Sequence, residues 1–129
     1  ATVASAPRCR AAAGVPPLNW PAYHGAPPPM ILEIADIRIQ PGRNAAFEEA
    51  ITRALGTVAS RAAGVQGWTV TRGVESPERY VLQIVWATLE DHTVGFREGP
   101  LFPQWRAIIG PFFAQPPQVE HFSLVTKSA

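Results

Sequence analysis

Ile31-Leu-Glu-Ile-Ala-Asp-Ile-Arg-Ile39, closed by Pro41-Gly42 and followed by Asn44-Ala-Ala-Phe-Glu-Glu-Ala-Ile-Thr-Arg-Ala-Leu-Gly-Thr-Val58, decides the fold. Its first part is rich in β-branched residues, alternates imperfectly and ends at a turn signature, which predicts a strand. From Asn44 the apolar period changes. Phe47, Ala50, Ile51, Ala54, Leu55, Val58 and Ala62 fall at spacings of three and four, the single apolar stripe of a helix. Asn44 is the expected N-cap, Glu48 and Glu49 suit the positive end of the helix dipole, and Gly64 is the expected left-handed stop.

Downstream, Trp68–Val74 and Tyr80–Trp86 are two strand-like runs joined by Glu75-Ser-Pro-Glu78, which predicts a hairpin. Leu89–Arg97 and Phe102–Ile109 read as short helices separated by Gly99-Pro100, the second ended by Gly110-Pro111. Pro116-Pro117 breaks the chain again before Val119–Val125, a fourth strand by composition. The order is that of the α+β ferredoxin-like βαββαβ plan, an antiparallel sheet backed by helices. One layer of helices covers one face only. In the third strand Tyr80, Leu82, Ile84 and Trp86 point to one side while Val81 and Val85 populate the other, so the uncovered face calls for a second protomer, and a homodimer is expected.

Upstream the composition is different. Residues 1–29 hold seven prolines, eight alanines, Arg8, Arg10 and no acid, with neither helical nor strand period, and read as a tail or extension before a domain spanning 30–129. Met30, the sole methionine, directly precedes the first strand and is a candidate for the true start. The apolar run Ala11–Val15 is too short for a secretory signal, and two arginines among seven prolines make a poor transit helix.

The whole chain of 129 residues carries 11 Lys+Arg against 10 Asp+Glu, with no basic cluster, which argues against nucleic acid as a partner. Without the tail the balance is one net negative charge, so a strongly charged ligand is not expected. No apolar run approaches the roughly 20 residues of a membrane span. Cys9 is the single cysteine, which excludes an internal disulfide framework and a cysteine-rich zinc site and is compatible with a cytoplasmic location.

His92 and His121 are the two histidines after residue 29, and each is a candidate acid/base. Two histidines do not make a metal site, and the neighbouring Asp91 and His92 do not point inward together. Trp86, Phe96, Phe102, Trp105, Phe112 and Phe113 put six aromatics into residues 86–113. They are either ordinary core or the walls for a flat hydrophobic ligand. No glycine-rich phosphate loop, serine-hydrolase elbow or zinc-protease motif is present.

The chain resembles the antibiotic biosynthesis monooxygenase (ABM) family of small dimeric α+β barrels. The resemblance is carried by Met30-Ile-Leu-Glu-Ile-Ala-Asp36, Pro41-Gly42-Arg43, Arg79-Tyr80 into Trp86, Leu89-Glu-Asp-His-Thr-Val-Gly-Phe-Arg97, and the stretch from Gly110 to Phe122. It implies a tryptophan ending the third strand and an arginine on the last helix in the pocket, places taken here by Trp86 and Arg106. His92 falls where oxygenases of the family have a tyrosine, and Leu82 where they have an asparagine. The haem-degrading branch has an asparagine, a tryptophan and an iron-ligating histidine at the places of Asp36, Phe96 and Arg106, so haem is not expected.

The implied function is a cofactor-independent monooxygenase that oxidises a flat aromatic or phenolic, polyketide-like molecule with O₂, using neither metal nor flavin. His92 would be the base, Arg106 or the Trp86 indole N–H the donor to the developing oxyanion, and Leu82, Phe96, Trp105, Phe112 and His121 would contact substrate. The alternative is a non-catalytic ligand-binding or structural barrel. An enclosed cavity in each protomer lined by His92, Trp86 and Arg106 would favour the enzyme, and a filled barrel the alternative.

Overall fold

The computed structural model describes residues 30–128. The tail expected over residues 1–29, with Cys9 in it, lies outside them. Strand β1 (Ile31–Arg38) runs on one residue further only as an isolated bridge from Ile39 to Phe113. Its inward positions are Glu33, Ala35 and Ile37, all buried, and the alternation that reads as imperfect in sequence is therefore regular, with a carboxylate in one core position. Gly42, at φ 79°, makes the turn into helix α1 (Asn44–Thr57).

Helix α1 buries Phe47, Ala50, Ile51, Ala54 and Leu55, as its period predicts. Its ends differ from expectation. Asn44 does not cap: its amide donates to the Pro77 carbonyl at 2.8 Å and the Tyr80 hydroxyl at 2.8 Å, across to the hairpin. Glu48 and Glu49 lie beyond the first turn, and Glu48 accepts instead from Tyr80 Oη at 2.6 Å. The helix stops at Thr57 because Thr57, Ser60 and Arg61 side chains take up the carbonyls of Arg53, Gly56 and Thr57, and a single 3₁₀ turn (Ala59–Arg61) follows. Gly64, at φ 91°, then turns the chain into β2. A Cβ there would collide with the Asp91 carboxylate, so only glycine lets the segment carrying His92 sit this close.

Strands β2 (Val65–Arg72) and β3 (Arg79–Trp86) form the hairpin, with β2 starting three residues earlier than its composition indicates and bulging between Val65 and Gly67. Asp91–Phe96 is a π-helical turn and α2 (Leu101–Ile109) the second helix; β4 (Gln118–Phe122) ends the sheet. The strand order β2-β3-β1-β4, antiparallel throughout, is the ferredoxin-like arrangement, with β4 at one edge. Both helices pack on one face, over Ile37, Tyr80, Leu82, Ile84 and Trp86. On the opposite face Leu32, Ile34 and Val81 are half-buried and Phe122 is 45% exposed, while Asp36 holds a bidentate pair with Arg79 at 3.1 and 2.8 Å. Among the described residues no helix is long and apolar enough to cross a membrane.

Candidate functional site

Register builds the site. Pairing of β1 with β4 sets Glu33 directly opposite His121, so both side chains rise on the helix-covered face. The π-helical turn crosses above them and drops His92 into the gap. Its wide turn is closed by the Arg97 amide donating five residues back to the His92 carbonyl at 3.0 Å, an arrangement frequent at functional sites.

The polar groups form a connected row. Trp86 Nε1–H donates to Glu33 Oε1 at 2.8 Å, His92 Nε2 stands 3.4 Å from the same oxygen, and His92 Nδ1 is 2.7 Å from His121 Nε2. Glu33 is 5% exposed and His92 3%, while His121 is only half-buried. Burial pushes the Glu33 carboxyl up to about 7, against the pull of the Trp86 hydrogen bond and the Arg97 charge. Burial, helped by His121 and Arg97, pulls His92 down to about 4, and burial and Arg97 also lower His121. Near neutral pH both imidazoles are therefore neutral and the carboxyl is poised between its two forms.

Aromatic rings frame this row. Trp86 and His92 stack at 5.0 Å between centroids, Phe96 stacks on His92 at 6.2 Å, and Trp105 and Phe102 meet Phe96 edge-on at 6.1 and 5.7 Å. Beside them lies a partly open cavity of about 1000 Å³, between the sheet and α2. Glu33, His92, Leu82, Phe96, Trp105 and Arg106 line it, with Ile84, Phe102 and Arg97. The Arg97 and Arg106 guanidiniums each stand 5.9 Å from the Phe102 ring, bringing two positive charges to one wall.

Five of the eight residues expected at the site, His92, Arg106, Leu82, Phe96 and Trp105, thus share one cavity. Three stand elsewhere. Trp86 is fully buried behind the cavity, and its N–H is committed to Glu33 rather than free for an oxyanion. Phe112 packs edge-on against Phe47 at 5.8 Å beneath the Arg43 guanidinium, and its neighbour Phe113 faces the cavity instead, because the 3₁₀ turn Gly110–Phe112 ends between them. His121 reaches the site through His92 and not through the cavity wall. Glu33 is the residue that sequence reasoning misses. The signal for it is the period of two running back from Ile39 through Ile37 and Ala35, which points a carboxylate inward.

The donor set does not converge on a point. The two nitrogens of His92 face opposite ways, one to Glu33 and one to His121, and among the described residues no group of three His, Cys, Asp or Glu could hold a metal ion.

Residues 30–108 match the family model for antibiotic biosynthesis monooxygenase. An uncharacterized protein of Bacillus subtilis, YczJ, is 33% identical over 96 residues, covering 72% of this chain and 97% of its own. A Bordetella bronchiseptica crystal structure, named a candidate antibiotic biosynthesis monooxygenase, is 43% identical with a TM-score of 0.72, over 75% of this chain and 98% of its own. A Caulobacter crescentus structure of similar name shares the fold at 23% identity and a TM-score of 0.64, over 75% of this chain and 91% of its own. The motifs around β1, Trp86 and His92 and the ferredoxin-like sheet agree with these likenesses: the chain belongs to the antibiotic biosynthesis monooxygenase family.

Proposed function

We propose that the protein is a monooxygenase that oxidises a flat phenolic or related aromatic molecule with O₂ and draws on no metal or flavin. The observation that carries this reading is a cavity of about 1000 Å³ with aromatic walls and one buried carboxyl poised near neutrality at its inner end. A phenol or anthrone that loses a proton can pass an electron to O₂ from its own π system, so the protein needs to supply only a base, a countercharge and a dry wall. Glu33, held by Trp86, is the base best matched to neutral pH, and His92 lies beside it to share the proton. Arg106 and Arg97 hold the developing oxyanion. Phe96, Trp105, Leu82 and Phe102 set the plane of the ring. A barrel filled by its own aromatics, as a purely structural role requires, would leave no such space.

The active unit is a homodimer, with Leu32, Ile34, Val81 and Phe122 of the open sheet face against a partner. Oxygen uptake with a panel of anthrones and hydroquinones in metal-free buffer tests the chemistry. Saturable uptake is expected, and none across the panel overturns it. Arg106→Ala should lower kcat more than it raises KM if the guanidinium meets developing charge. A monodisperse monomer by light scattering at micromolar concentration would contradict the dimer.

A further inference from the structure

Glu33, His92 and His121 come from β1, the π-helical turn and the edge strand β4, yet they stand in one line from the cavity to the rim of the sheet. Glu33 and His92 line the cavity; His121 does not, and is the half-buried member. His92 is engaged at both nitrogens, at 3.4 Å by Glu33 and at 2.7 Å by His121. We propose that Glu33, His92 and His121 form a proton wire through which the cavity exchanges protons with solvent at the β4 edge.

The wire has two self-consistent hydrogen arrangements. With Glu33 ionised, His92 carries its hydrogen on Nε2, toward the carboxylate, and His121 carries its own on Nε2, toward His92 Nδ1. With Glu33 protonated, both hydrogens sit on Nδ1, that of His92 toward His121 and that of His121 toward solvent. An outward transfer starts when Glu33, which has given its proton to the cavity while both histidines keep theirs on Nδ1 as an inward run leaves them, takes a proton from a substrate hydroxyl and so completes the second arrangement. The carboxyl proton moves to His92 Nε2, the His92 Nδ1 proton to His121 Nε2, and the His121 Nδ1 proton to water. One proton leaves substrate and one enters solvent, and no cation persists in between. Reduction of O₂ and expulsion of water require one proton back, and the same path run inward returns it and restores the starting tautomers.

The surroundings favour this neutral mechanism. Burial, with the charge of Arg97 at the end of the π-helical turn, disfavours an imidazolium at both histidines, and Arg106 on α2 lines the same cavity. Trp86, from β3, pins the carboxyl by one oxygen. The 3.4 Å gap is of the kind that tightens when a proton is shared.

The inference rests on the cavity being a site of proton abstraction, and its primary test is independent of turnover. In the full chain labelled with ¹⁵N-histidine and ¹³C-carboxyl glutamate, lowering pH through the Glu33 titration should switch His92 from the Nε2–H to the Nδ1–H tautomer, with His121 in step. A His92 that keeps one tautomer throughout overturns the wire. On a substrate that is turned over, His121→Phe should lower kcat about tenfold or more at unchanged KM, raise the solvent deuterium isotope effect, and be rescued by added imidazole. His121→Gln, which bonds but cannot relay, should behave alike if the Phe variant fails to fold. Unchanged kcat in both variants overturns the wire and leaves the oxygenase reading standing. Coupled tautomer switching in a chain that takes up no oxygen supports the wire and overturns that reading.

Discussion

The two ends of β3 are built from the same parts and do different things. At one end Tyr80 Oη–H donates to Glu48 at 2.6 Å; at the other Trp86 Nε1–H donates to Glu33 at 2.8 Å. Each aromatic is a fully buried anchor with its polar tip on a carboxylate. Glu48, however, lies half in solvent on α1 and pairs with Arg72 at 3.3 Å, so its charge is hydrated and balanced. Glu33 sits under the π-helical turn with no arginine or lysine in salt-bridge contact among the described residues, and burial raises its carboxyl to about 7. An aromatic donor is a structural clip when its carboxylate can reach water; when it cannot, the carboxyl is a candidate for the proposed chemistry.

The sharpest way to break this contrast is through activity. Glu33→Gln and His92→Ala should each reduce turnover of a phenolic substrate by about 10²–10⁴-fold, read by oxygen uptake, whereas Glu48→Gln should leave it within a few-fold. Equal losses at both ends would erase the distinction. Phe47→Ala tests the clip: Phe47 is fully buried 4.8 Å from the Tyr80 ring, and its truncation should cost about 3–5 kcal/mol in urea unfolding.

Acidity separates the ends further. Glu33 in the folded chain binds its proton up to about pH 7 against an ordinary 4.5, so its contribution to stability is full below pH 4.5 and is lost as pH rises to 7. His92 does the reverse. It refuses a proton until about pH 4 against an ordinary 6.5, so stability is lost as pH falls from 6.5 to 4. The two slopes oppose one another in the unaltered protein. Removing one should expose the other: Glu33→Gln should gain stability as pH rises from 4 to 6.5, and His92→Asn should lose it from 4.5 to 7, each on the order of 3 kcal/mol across its window. Flat profiles in both variants would show that neither group is perturbed. The smallest expected effect is at the clip, where Tyr80→Phe should cost about 1 kcal/mol with no change in pH profile, since Asn44 keeps the Pro77 carbonyl and Glu48 keeps Arg72 and water.

The strand, helix, hairpin and final strand are each legible from local pattern, because burial on one face imposes a period of two or of 3.6 on any sequence that packs there. What misleads locally is the end of α1. Asn44 has the chemistry of a cap, but the neighbouring hairpin offers its amide two acceptors, and a tertiary partner outcompetes the helix's own amides. That His92, Phe96, Trp105, Arg106 and Leu82 share one cavity follows the expectation drawn from family resemblance and, for Phe96 and Trp105, from aromatic density. Phe112 was not separable from Phe113, since the direction of each depends on a 3₁₀ turn between helix and loop.

By itself the sequence determined the fold class, through its periodicity, and the family, through the resemblance that its short motifs carry, the segment with His92 after β3 among them. The tertiary structure alone decided that Glu33 belongs to the site. Its candidacy for the proposed function depends on its register against His121, on the indole of a residue 53 positions away and on the roof that His92 provides. None of these is a local property of the chain. A carboxylate's affinity for its proton is set by the solvent it loses and the donors it meets, and only folding settles both.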